Sequence, residues 1–314
     1  MNYILGGGMA GLIAAHYNPS FKIISPDVGG QLVKHKNILT TFFVHDNAEN
    51  ESLLKELELK YSKKRIKIFY CYKGEVVNML TPSMKTKFIK FKMSEFDYDT
   101  NSSQVKDTTL STKDNYMDIL DTDINLLIKK LSKGKTIING TVKLINNNRK
   151  FILATVNGKL EILKYDKLIS TMPANIFFFM LYNFVNNYSF NYLPATYVLS
   201  ETKPDFIGEE GLYYIYDDNL IYNRVQKYSG GYIYEITGMP SDDVIKKQIP
   251  NVIDIERRYI GVIKSIEVDD FRNIKFVGRT AQWNHKVHLE ESIIKSKQIK
   301  NNQATGDLDV KIKK

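Results

Sequence analysis

Three glycines, Gly6, Gly8 and Gly11, stand in G-x-G-x-x-G spacing within MNYILGGGMAGLIAAHY. That spacing suits one task, holding a dinucleotide. Gly6 permits a tight turn, Gly8 lets main chain approach a pyrophosphate, and Gly11 lets a helix pack closely on a strand. The helix N-terminus, at Met9 and Ala10, then faces the anion. The pattern has this meaning only between a strand and a helix. Asn2-Tyr3-Ile4-Leu5 reads as a short buried strand, Gly11 to His16 as a helix stopped by Asn18-Pro19, and Phe21 to Ile24 as the next strand. The bland alternative is a glycine-rich turn without a ligand. A secretory signal is not expected, because no Lys or Arg precedes the apolar residues and glycines interrupt them. The run is also too short to span a bilayer.

Nicotinamide-binding units carry an acid at the end of the second strand to hold a ribose. Here Ser25-Pro26 occupies that place, Asp27 lies just beyond, and Val28-Gly29-Gly30-Gln31 follows. Pyrophosphate binding is therefore better supported than ribose binding. No Cys/His cluster argues for a metal, so none is expected, and no G-x-S-x-G argues for a serine hydrolase.

The elements behind these residues fall into two textures. Helical spacing covers Glu51–Tyr61 and the stretch 117–131. Strands are expected at Ile66–Tyr72, Val76-Val77, Phe88–Met93, Thr136–Ile138 and Gly140–Ile145. A hairpin turns at Asn157-Gly158 and ends in Tyr165-Asp-Lys-Leu-Ile-Ser-Thr-Met-Pro173. Ile176–Tyr182 reads as a core helix. From 181 to 254 alternation and dense tyrosine (Tyr213, Tyr214, Tyr216, Tyr222, Tyr228, Tyr232, Tyr234) argue for an antiparallel sheet. Its aromatics can be ordinary packing or a flat wall beside a ligand. The polar segment 97–115 is expected to be a mobile loop.

The glycine pair directly after the second strand resembles the flavin proteins of the amine oxidase, protoporphyrinogen oxidase and UDP-galactopyranose mutase superfamily. Two departures stand out: the acid is missing or displaced to Asp27, and Gln31 replaces the common Arg. The strand rising to Ile-Ser-Thr-x-Pro after a β-meander is similar to the way these proteins return to their first sheet. The closing run Asn273-Ile-Lys-Phe-Val-Gly-Arg-Thr-Ala-Gln-Trp-Asn-His-Lys286, with a helix over 287–300, resembles their last motif. The resemblance implies FAD. It implies cofactor contacts from the glycines above with Met9 and Ala10, and from Ser25, Gly29, Gly30, Gln31 and Val142. At the closing turn it implies Gly278, Arg279 and Trp283. It also implies His45, in Phe42-Phe-Val-His45, beside the flavin ring. Arg224, in Tyr-Asn-Arg224-Val, is implied to gather substrate and flavin through its forked donors. His45 and Arg224 are thus the candidates for catalysis.

The fold class expected is α/β: a Rossmann-like FAD-binding domain with a smaller, discontinuous antiparallel β substrate domain. Residues 1–60, 117–180 and 255–300 would form the first and 61–116 with 181–254 the second, leaving 301–314 as a disordered tail. With 314 residues the chain is long enough for both, and 43% hydrophobic with 25% charged residues is ordinary for a globular protein. A single cysteine, Cys71, suits a reducing, cytoplasmic setting. The expected activity is hydride transfer from an amine or other small group to flavin N5. A mutase-like isomerisation without net redox is the alternative, followed by a flavoenzyme acting on a nucleic-acid-borne group. The formal charge of +9 is spread in Lys-rich pieces such as Lys63-Lys64-Arg65 and Lys246-Lys247. A small or nucleotide-linked substrate is favoured over nucleic acid, and no membrane partner is expected.

Overall fold

The computed structural model describes residues 1–32, 43–93, 109–111, 113, 115–185, 187–208, 210–228 and 230–304. Most of the expected loop 97–115, and residues 305–314, lie outside these.

Short apolar runs make the first sheet. Lys22–Ser25, Asn2–Leu5, Lys167–Ser170 and Ile274–Phe276 lie side by side and parallel, and Ile137–Asn146 joins parallel to Lys22–Ser25. Phe151–Val156 and Lys159–Lys164 extend that edge antiparallel. The parallel strands are apolar on both faces because both are covered. One face packs on Leu12, Ile13, Leu53, Leu127 and Ile293. The other packs on Phe177, Phe178 and Trp283.

The second sheet runs Val252–Ile263, Tyr192–Ser200, Gly231–Thr237, Arg224–Tyr228, Leu212–Ile215, Ser62–Tyr72 and Glu75–Val76 in spatial order. Val252–Ile263 therefore belongs wholly to this sheet and crosses residue 255. The sheet is antiparallel except at one seam, where Leu212–Ile215 runs parallel to Ile68–Cys71. Helix Asp242–Gln248 supplies Ile245 to a core with Val198, Tyr213, Val225 and Tyr234 on one face of this sheet.

Five local expectations are corrected. Residues 117–131 are not one helix: Tyr116–Asp121 is a strand paired with Ser62–Lys67, and helix Ile124–Ser132 begins after it. Asp123 accepts a hydrogen bond from the Leu126 N–H at 3.0 Å, a capping arrangement that starts the helix there. Phe88–Met93 is not a strand. Thr81 caps helix Pro82–Lys87, and a π turn over Phe88–Lys92 continues it, so the proline-first start signal outweighs the local alternation. The strands expected at 136–138 and 140–145 are one strand, Ile137–Asn146, irregular between Val142 and Leu144. In helix Ala174–Met180, Phe177 and Phe178 are buried while Phe179 is 89% exposed, so only one side of it is core. The last helix, Leu289–Ala304, runs past the expected end at 300.

Candidate functional site

Strand Asn2–Leu5 delivers the chain to the glycines, and helix Met9–Tyr17 leaves them. A Cβ on Gly11 would lie 2.0 Å from the Gly6 carbonyl oxygen, and one on Gly6 would meet Thr171 Oγ1 at 2.7 Å. These two glycines are demanded by the packing of the protein itself. Thr171 Oγ1 donates to the Leu5 carbonyl at 3.0 Å, so the returning strand braces the turn. Gly8 is different. Its φ of −70° and ψ of −178° suit any residue, and a Cβ there would meet nothing within 4 Å. It caps the first helix without any side-chain hydrogen bond, and no acid sits in that helix's first turn. An open space before unfilled N–H groups is a place for an anion.

Two further glycine turns close on the same point. Gly29 N–H donates to the Gly7 carbonyl at 2.8 Å, and a Cβ on Gly30 would stand 3.1 Å from Gly8 Cα. Gly278, at φ +100°, would push a Cβ to 2.6 Å from Ala10 Cβ. The closing motif therefore lies against the first helix's first turn, although 268 positions separate Gly278 from Ala10 along the chain. The residues present fit a dinucleotide pyrophosphate.

The remaining expected contacts fall as follows. Met9 is buried in the first core. Ser25 Oγ donates to the Asp27 carbonyl at 2.7 Å, so it shapes the turn, and the Asp27 side chain is exposed. Gln31 lies in the turn of 3₁₀ helix Gly30–Leu32. Val142 is buried opposite Ala154. Arg279 is exposed beside Gly278. Trp283 is fully buried, edge-on to Phe190 and Tyr192 at centroid distances of 4.9 and 5.9 Å, and its side chain presents no surface to a ligand.

Arg224 sits in a row that crosses the second sheet. Tyr70, Tyr214, Arg224, Glu235, Tyr197 and Glu256 each stand directly opposite the next across six strands. Directly paired residues share a face, so this row lies on the side away from helix Asp242–Gln248. Tyr70 stacks on Tyr214 at 5.7 Å, and the Arg224 guanidinium lies 5.7 Å from the Tyr214 ring. Arg224 pairs with Glu235. Arg258 pairs with Glu256 at 2.7 Å and covers the Tyr197 ring at 4.4 Å. Burial opposes the Arg224 charge, but Glu235 outweighs it and holds the proton more firmly than usual. Burial, with Glu235, pushes the Tyr197 hydroxyl up to about 12, while Arg258, Arg224 and Arg279 pull it the other way. A cleft of about 970 Å³ on the same sheet is lined by Lys64, Arg65, Ile66, Leu212 and Gln226 among others, and by none of the row residues. Of this row the sequence marks Arg224, and Tyr214 among the dense tyrosines; the others have no fixed spacing from Arg224.

His45 lies ahead of helix Ala48–Glu56 and bridges to Ile119. Its ring is 4.9 Å from that of His288, and its Nδ1 is 3.8 Å from Glu290 Oε1. His288 and Glu290 were not expected, since both lie in the closing segment, 243 and 245 positions after His45. Burial lowers the proton affinity of His288, and His45 and Arg279 add to this; Glu290 and Glu291 oppose it.

No family model and no curated protein matches the chain. Solved structures do. The chain is similar to a reduced UDP-galactopyranose mutase, with a TM-score of 0.72 and 11% identity over 98% of this chain and 96% of that one. It is similar to a CLA-producing fatty acid isomerase from P. acnes, with a TM-score of 0.63 and 11% identity over 96% and 98% of the two chains. A putrescine oxidase bound to putrescine gives a TM-score of 0.63 at 10% identity over 97% and 98%. Likenesses at this identity show the fold alone: an α/β architecture with a Rossmann-type parallel sheet and a second, mostly antiparallel sheet, shared with these three structures. Among the described residues no helix is long and apolar enough to cross a membrane.

Proposed function

We propose that this chain is an FAD-dependent oxidoreductase that takes hydride from an amine or another small polar substrate. The observation that carries the reading is Gly8. Its backbone does not need glycine and its Cβ would stand in free space, yet Gly29 and Gly30 close on it and Gly278 lies against Ala10, two residues on. A phosphate-bearing ligand accounts for that arrangement, and the fold supplies the kind of ligand. FAD, when bound, supplies a two-electron acceptor.

In this reading the N–H groups that open the first helix hold the pyrophosphate. Arg279, exposed next to Gly278, adds a forked donor to it. The row from Tyr70 to Glu256 forms the opposing wall, where Arg224 and the tyrosines orient substrate. Both row carboxylates are already paired with arginines, which suits a neutral amine or polar group better than a second buried cation. A mutase-like reaction without net redox is the second reading, supported by Arg224 in the row and by the likeness to the mutase.

The test is the visible spectrum of the purified protein, followed by anaerobic addition of candidate amines and nucleotide sugars. A yellow protein bleached by an amine and turning over with an external acceptor supports the oxidoreductase. Turnover of a nucleotide sugar only after chemical pre-reduction, with no acceptor consumed, supports the mutase. A colourless protein that takes up no FAD ends both.

A further inference from the structure

Around His45 the acids are already engaged, with one exception. Asp46 is bound to Lys63 at 3.0 Å, Glu51 accepts from Tyr61 at 2.7 Å, and Glu49 is bound to Lys297 at 2.7 Å. Glu291 accepts from the His288 backbone N–H at 2.7 Å and so closes the start of the last helix. Glu290 is left. Its Oε2 accepts from the carboxamide of Asn50 at 3.3 Å, and the same carboxamide donates to the His45 carbonyl at 3.0 Å. Asn50 is fully buried, so this link is rigid. It leaves Glu290 Oε1 on the His45 side, 3.8 Å from Nδ1. His45 in turn lies against His288, an exposed residue. Helix Leu289–Ala304 runs along helix Met9–Tyr17, its Ser296 carbonyl accepting from Asn18 at 3.1 Å and its Ile299 lying beside Phe21, so its start, at His288, lies toward the end of the sheet that carries the glycine cradle. The order outward is therefore Asn50, Glu290, His45, His288. Such a chain runs from a buried anchor to an exposed imidazole.

We propose that His288 is the proton acceptor of the cofactor cleft, positioned by His45, Glu290 and Asn50, and that it serves substrates whose oxidation releases an O–H or N–H proton. The assignment rests on the flavoenzyme reading above. The balance is simple. The C–H bond breaks with its electron pair passing to the two-electron acceptor, the heteroatom–hydrogen bond breaks with its proton passing to a ring nitrogen of His288, and a C=O or C=N bond forms. Partial burial, His45 and Arg279 lower the proton affinity of the imidazole, while Glu290 and Glu291 oppose this. His45 and Glu290 act through His288 and are positioning residues.

The test uses the purified protein with isotope-labelled histidine, followed by NMR across pH, together with stopped-flow flavin reduction by a substrate found in the spectral screen. His45→Gln removes the neighbouring imidazole and is expected to raise the His288 midpoint by about half a unit or more, a roughly threefold gain in proton affinity. Glu290→Gln moves it the other way. The acid limb of the reduction rate should follow the same midpoints, and His288→Gln should abolish that limb while FAD content stays unchanged. An acid limb untouched in His288→Gln, or a His288 midpoint indifferent to His45→Gln, overturns the proposal. A wild-type protein without flavin overturns the functional reading instead, and the NMR titration still judges the cluster by itself.

Discussion

Gly8→Ser separates what the protein needs from what its ligand needs. The backbone at Gly8 has φ −70° and ψ −178°, and a Cβ would meet nothing within 4 Å, so serine enters without strain. Two effects then favour the ligand-free fold. Replacing glycine at a compatible position narrows the unfolded ensemble, about 0.4–1 kcal/mol. A serine hydroxyl at this capping position also accepts from the N–H groups of Ala10 or Gly11, which improves on glycine by a few tenths of a kcal/mol. The ligand-free variant should therefore be more stable by about 1 kcal/mol. The same hydroxyl occupies the donors and the space that the pyrophosphate requires, so FAD affinity should fall by about 100-fold, or roughly 2.8 kcal/mol. Gly11→Ala is the control: its Cβ would stand 2.0 Å from a carbonyl oxygen, and the fold itself should fail. Denaturant titration of the FAD-free proteins and fluorescence titration with FAD measure both quantities. FAD bound by Gly8→Ser as tightly as by the parent would refute the argument. So would a loss of stability in the FAD-free variant.

Lys92 is buried and donates to the Tyr222 carbonyl, and burial pulls its amine down to about 7. Above that pH the folded state carries a neutral amine while the unfolded chain stays protonated until about pH 10.5, so the fold gains stability as pH rises through this window. Lys92→Met should be more stable at pH 7, and its advantage should shrink by about 1.4 kcal/mol per unit toward pH 10; denaturant melts giving a pH-independent gap would contradict this. Arg279→Lys keeps charge but loses the fork, and FAD affinity should drop about tenfold, roughly 1.4 kcal/mol. Arg224→Lys should keep FAD and lose turnover; equal loss of FAD in both variants would show that the two arginines do not have separate tasks. Titration with duplex and single-stranded DNA at two salt concentrations should show no strongly salt-dependent micromolar binding, because Lys63, Lys64, Arg65 and Lys297 are each engaged by a carboxylate.

The cradle was legible in the sequence because its glycines answer to local geometry. Gly6, Gly8 and Gly11 sit within one strand–turn–helix unit, and their spacing alone states where main chain comes close. The closing Gly278 was legible by likeness of pattern, and its contact with Ala10 is visible only in three dimensions. Elements whose identity depends on partners were harder. Tyr116–Asp121 carries apolar residues at positions a helix would accept, and the unpaired edge of Ser62–Lys67 turns it into a strand. The parallel seam between Ile68–Cys71 and Leu212–Ile215 joins residues more than 140 positions apart, beyond the reach of any alternation rule. Trp283 shows the converse. Its place in the closing motif suggested a ligand contact, while its neighbours Phe190 and Tyr192, remote in sequence, enclose it completely.

The two faces of the second sheet give the strongest structural reason to look for a substrate there. On one face Val198, Tyr213, Val225 and Tyr234 meet Ile245 in an ordinary core. On the other face of the same strands lie two arginine–glutamate pairs, with side chains 18% and 17% exposed for Arg224–Glu235 and 10% and 5% for Arg258–Glu256. Stability does not select such pairs, since desolvating two ions costs about as much as their attraction returns, and apolar residues of similar volume often serve as well or better. Each arginine also lies over a tyrosine ring, which fixes its direction as well as its charge. Directed, desolvated donors beside stacked tyrosines are costly to build for packing and well suited to orienting a polar molecule.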